Sequence, residues 1–112
     1  MSQITTHILD TSLGKPAQGV QINLEKLQNE SWKLLGSGTT NSDGRVLDLI
    51  DKDILLDPGQ YRMVFKTADY FQSLNIKTFY PEVQIIFETF DTEHYHVPLL
   101  LNPFGYSTYR GS

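Results

Sequence analysis

Apolar and polar residues alternate with period two along most of the chain, the pattern of half-buried strands. Ile4, Thr6 and Ile8 fall on one strand face, with Thr5, His7 and Leu9 on the other. Val20, Ile22 and Leu24 alternate with Gln21, Asn23 and Glu25, and polar Gln28-Asn29-Glu30-Ser31 lets Trp32-Lys33-Leu34-Leu35 return as the second arm of a hairpin. Gly36-Ser37-Gly38 weakens that arm and predicts a bulge or bend. Asn41-Ser42-Asp43-Gly44 is a strong turn, because Asn, Asp and Gly tolerate left-handed backbone. Arg45-Val46-Leu47 follows it as a short strand, and Asp57-Pro58-Gly59 turns the chain into the alternation of Tyr61, Met63 and Phe65. Between Thr67 and Asn75 the period changes to three at Ala68, Phe71 and Leu74, which predicts one short helix. Strands over Val83 to Phe90 and Tyr95 to Leu101 come next, and Tyr106 to Arg110 forms a last short one. Seven to eight strands, regular turns and one helix predict an all-β fold, an antiparallel β-sandwich. No repeat, low-complexity tract or linker divides residues 1–112, so one domain is expected.

Composition limits what such a sandwich can do. Ile, Leu, Val and Phe number 33 of 112 residues, enough for a packed core, yet no apolar run approaches the roughly 20 residues that span a bilayer. A chain this short leaves little space for a closed ligand cavity, which takes about 300–1,000 Å³, so a small-molecule site is expected in an open cleft or between subunits. The absence of Cys removes thiol catalysis, disulfides and thiolate metal sites. A net charge of −4 with only three Arg, at 45, 62 and 110, argues against general nucleic-acid binding. No basic-then-apolar leader opens the sequence, so a cytoplasmic location is the expectation.

Three histidines are the main candidate chemistry. His94 and His96 stand two apart in a strand and therefore face the same way, where they could bind a metal or act as acid and base near neutral pH. His7 completes a set of three, but nothing local places it beside the others. A helical zinc motif, a nucleophile elbow, a phosphate-binding glycine loop and a calcium loop are all missing. The segment Gly105-Tyr106-Ser107-Thr108-Tyr109-Arg110-Gly111-Ser112 keeps two Tyr and an Arg up to the last residue, where an undocked tail is usually polar. A docked tail would bring Tyr109, Arg110 and Ser112 into a site.

Several segments together resemble the transthyretin-related family. His7-Ile8-Leu9-Asp10-Thr11 with Gly14-Lys15-Pro16-Ala17, Thr40-Asn41-Ser42-Asp43-Gly44-Arg45, Thr78-Phe79-Tyr80-Pro81-Glu82-Val83, and His94-Tyr95-His96-Val97-Pro98-Leu99-Leu100-Leu101 are similar to its motifs. Tyr109-Arg110-Gly111-Ser112 is similar to the tetrapeptide that separates its 5-hydroxyisourate hydrolases from transthyretin proper, a thyroid-hormone carrier. The resemblance implies a transthyretin-like sandwich that hydrolyses 5-hydroxyisourate in urate degradation. It further implies a homotetramer, a dimer of dimers with sites where the dimers meet, and no organic cofactor or metal. On the positions that match, it implies catalytic roles for His7, Arg45 and His96. Substrate contacts fall to Tyr109 and Ser112 (the latter through its carboxylate as well), and supporting roles to His94, Arg110 and Gly111. The alternative is a transthyretin-like binding protein without catalysis.

Overall fold

The computed structural model describes residues 2–112. Its elements in chain order are β1 (Ile4–Asp10), β2 (Lys15–Pro16), β3 (Gln21–Gln28), β4 (Ser31–Thr39), β5 (Arg45–Val46), β6 (Gly59–Phe65), α1 (Thr67–Ser73), β7 (Val83–Thr89), β8 (Tyr95–Asn102) and β9 (Gly105–Thr108). Two of the nine strands are two-residue pairings, which leaves seven of four residues or more. They form two sheets. One runs β4-β3-β6-β7; the other runs β2-β1-β8-β9, with β5 also paired to β1.

The core lies between the sheets, where the predicted apolar faces meet. Ile4 and Ile8 of β1 and Leu99 of β8 are fully buried against Ile22 and Leu24 of β3 and Tyr61, Met63 and Phe65 of β6. Full burial of one such side chain contributes about 1.5–3 kcal/mol relative to leaving it in water. The predicted hairpin is present, with Asn29 and Glu30 both at positive φ in its turn. Its bulge falls one residue ahead of the glycines: Leu24 pairs Gly36 and Glu25 pairs Leu34, so Leu35 is the extra residue. The glycines serve close packing instead, since a methyl group on Gly36 would lie 1.9 Å from the Leu49 carbonyl oxygen and one on Gly38 2.5 Å from Val46 Cγ1.

The helix is present and buries Phe71 as its spacing suggested, but its inward face is rotated away from Leu74. Thr67, Tyr70 and Phe71 are buried, while Leu74 caps the helix and is 41% exposed. Tyr70 replaces it because its phenol donates to Asp10 Oδ2 at 2.7 Å, and Asp10 Oδ1 accepts from Ser12 and Leu13. Burial alone would raise the Asp10 carboxyl, but these hydrogen bonds hold it below the usual carboxylate range.

One pairing departs from the antiparallel pattern. β1 and β8 run parallel, in register from Ile4 opposite Tyr95 to Asp10 opposite Leu101. Parallel neighbours need a long connection, and here most of the chain lies between them. This pairing builds the site.

Candidate active site

Because Ile4, Thr6 and Ile8 turn into the core, the odd residues of β1 face outward, and Thr5 and His7 share that outer face. On β8 the residues packed into the core are Tyr95, Val97, Leu99 and Leu101, which turns His96 to the other face, with His94 just ahead of the strand on that same side. The parallel register sets Thr5 opposite His96 and His7 opposite Pro98. The result is a row of imidazoles: the His7 and His96 rings lie 6.1 Å apart at 15°, and those of His94 and His96 6.3 Å apart at 26°.

Arg45 reaches the same place through its turn. Asn41 Oδ1 accepts from the Asp43 and Arg45 amides at 2.9 and 3.0 Å, and the Gly44 amide donates to the Asn41 carbonyl. Gly44 adopts φ +73°, and a methyl group there would lie 2.5 Å from the Ile8 carbonyl oxygen. With the turn pressed this closely against β1, Arg45 pairs directly opposite His7.

The tail is docked. After β9, the Gly111 amide donates to the His96 carbonyl at 2.9 Å. A methyl group on Gly111 would stand 2.6 Å from His96 Cδ2 and 3.1 Å from Pro98 Cγ, so glycine is what allows the tail to pass this close to the imidazole. The Arg110 guanidinium lies 4.5 Å above the Tyr95 ring. That aromatic face is the contact that seats the tail arginine. Tyr95 is itself fixed, since its hydroxyl donates to Asp91 Oδ1 at 2.9 Å and accepts from the Phe90 amide at 3.0 Å. Tyr109 is 58% exposed, and Ser112 is exposed one residue beyond the Gly111 bridge.

The electrostatics favour neutral imidazoles. Burial lowers the His7 pKa below its ordinary 6.5, and the Arg45 charge lowers it further. His96 is lowered by burial first, then by Arg45, His7 and His94. Both rings can therefore accept a proton at neutral pH while a fixed cation stands beside them. A cleft of about 290 Å³ touches His96, Tyr109 and Arg110 and runs along Ile85, Phe87 and Tyr95. Neither His7 nor Arg45 lines it. Among the described residues, no three His, Asp or Glu side chains converge as metal ligands would.

The profile of the HIUase/Transthyretin family matches residues 4–111. The chain belongs to that family. Among its relatives, a probable 5-hydroxyisourate hydrolase of Caenorhabditis elegans is 49% identical over 112 residues, covering 99% of this chain and 82% of that protein. The solved structure of Klebsiella pneumoniae 5-hydroxyisourate hydrolase matches with a TM-score of 0.85 at 34% identity, covering 97% of this chain and 98% of the other. Sea bream transthyretin in complex with thyroxine matches with a TM-score of 0.90 at 27% identity, covering 97% and 94%. Fold alone thus does not separate the enzymes of the family from its carriers; the side chains on the open face have to.

On that face the structure brings His7, Arg45, His96 and Gly111 together and sets His94 at the rim. It also adds a residue that sequence reasoning left unassigned. Thr5 Oγ1 lies 2.8 Å from His96 Nδ1 and 2.8 Å from His94 Nε2. Alternation put Thr5 on the same face as His7, but only the β1–β8 register shows what it faces.

Proposed function

We propose that this protein hydrolyses 5-hydroxyisourate, opening an amide bond of its six-membered ring to give 2-oxo-4-hydroxy-4-carboxy-5-ureidoimidazoline. The convergence of His7, Arg45 and His96 on one open sheet face carries this reading. The reaction needs an activated water, a stabilised oxyanion and a grip on a flat heterocycle. His96 and His7, held neutral, orient and deprotonate the water, and one of them returns the proton to the leaving nitrogen. Arg45 polarises the attacked carbonyl and takes up the negative charge as it develops. Tyr109 and Ser112 hydrogen-bond the substrate's ring edges, and Arg110 sets the tail through Tyr95.

The pocket is completed by other copies of the chain, in a homotetramer of two dimers. Two observations support assembly. Each sheet ends on an edge strand, β7 and β9, whose outward backbone groups can pair with a second copy. The apolar side chains near those edges are open to solvent, including Ile86 at 59% and Phe90 at 72% exposed.

The test is a spectroscopic assay in which urate oxidase generates the substrate and its decay is followed with and without this protein. Accelerated decay is expected. Tight thyroxine binding with unaccelerated decay would overturn the reading in favour of a carrier.

A further inference from the structure

The Thr5 hydroxyl stands between two imidazole nitrogens at equal distance, 2.8 Å from His96 Nδ1 and 2.8 Å from His94 Nε2, on a residue only 2% exposed. A hydroxyl has one proton to give and two lone pairs. It can donate to only one of the two nitrogens, so the other must donate to it if both contacts are hydrogen bonds. Two neutral rings therefore satisfy Thr5 only when their facing nitrogens are oppositely protonated. With the proton on His94 Nε2, Thr5 donates to His96 Nδ1, and His96 carries its own proton on Nε2. With the proton on His96 Nδ1, Thr5 donates to His94 Nε2, and His96 Nε2 is a free lone pair. In the first arrangement His96 Nε2 can only donate a hydrogen bond, and in the second it is a free base.

We propose that Thr5 and His94 are positioning residues that set the protonation state of His96 and give its proton an exit to solvent. The inference rests on the hydrolase reading above. When His96 Nε2 takes a proton from water, the Nδ1–H bond breaks and an O–H bond forms at Thr5. The Thr5 proton meanwhile leaves its oxygen and forms an N–H bond at His94 Nε2. One N–H and one O–H bond are broken and one of each is made, and the positive charge has moved to His94. His94 is exposed, whereas His96 is half-buried, so the charge ends where water can take it. Hydrolysis of an amide to a carboxylic acid that ionises at neutral pH leaves one proton to lose in each turnover. The other charged and titratable groups around His96 are His7 of β1, Arg45 of β5, Glu88 of β7, and Tyr109 and Arg110 of the tail.

The test compares Thr5→Val, which keeps the shape and removes the hydroxyl, with Thr5→Ser, which keeps the hydroxyl. Thr5→Val is expected to lower kcat about tenfold, a fraction of what a positioned acid–base group supplies, with KM changed less than twofold. The acid limb of its kcat/KM profile moves to lower pH, because protonated His96 loses an acceptor for Nδ1–H. Thr5→Ser restores both. Histidine 15N NMR reads the same link without turnover: His94 Nε2 and His96 Nδ1 show complementary protonation in the wild type and lose it in Thr5→Val. Wild-type kcat and pH profile in Thr5→Val, failure of Thr5→Ser to restore them, or unchanged 15N shifts would each overturn the proposal. Should Thr5→Val not fold, His94→Gln at the exposed end serves instead: a lowered kcat rescued by imidazole buffer supports the relay, and wild-type kcat refutes it. A wild type that fails to hydrolyse the substrate would refute the hydrolase reading, while the 15N measurement still decides the Thr5 link.

Discussion

Arg45 asks two things of the site at once. Its charge holds down the basicity of His7 and His96 in addition to their burial, and in the proposed mechanism the same charge takes up the oxyanion. A base must be unprotonated to act, and both rings titrate below their ordinary 6.5. The kcat/KM profile should therefore be flat through neutral pH and fall only on the acid side of the usual histidine range. Replacing Arg45 by Met removes a cation that disfavours imidazolium, so both histidines should titrate at higher pH, followed by NMR, and the acid limb should move up with them. Loss of the oxyanion contact should cost on the order of 10²–10³ in kcat. Unmoved histidine titrations would show that Arg45 does not act on these rings.

The tail and the strands it touches define the next scale. Gly111 packs so closely on the His96 ring that Gly111→Ala must displace one or the other. A displacement of ~1 Å at a reacting group costs on the order of 10² in rate. The tail lies outside the core, so the melting temperature should fall by less than the 4–8 °C that about 1 kcal/mol represents. Full activity in Gly111→Ala would argue against a docked tail. Much of this scale was legible in the chain itself. Period two marked the strands, the Asn41–Gly44 turn marked the approach to Arg45, and the aromatic tail marked docking. The rest depends on contacts distant in sequence. Nothing near His7 announces β8, because the parallel pairing spans the chain; nothing near Arg110 announces that Tyr95 is its seat. Helical spacing selected Leu74 for the core, yet a buried carboxylate at Asp10 drew in Tyr70.

At the scale of the whole molecule, the open imidazole face and the uncovered edge strands point the same way. The cleft beside His96 reaches neither His7 nor Arg45, and the proposed tetramer would complete the pocket around them. Sedimentation velocity should show a species of four subunits, and activity per subunit should fall when dilution dissociates it. A monomer with full activity would separate the site from assembly. The central claim, that this face performs the hydrolysis, is tested most directly by the decay of freshly generated 5-hydroxyisourate in the presence of wild-type protein and of His96→Asn. Rapid decay with the wild type and a loss of about 10²–10⁴ in His96→Asn, with the fold unchanged by circular dichroism, is the predicted result. Equal decay with both proteins would contradict it.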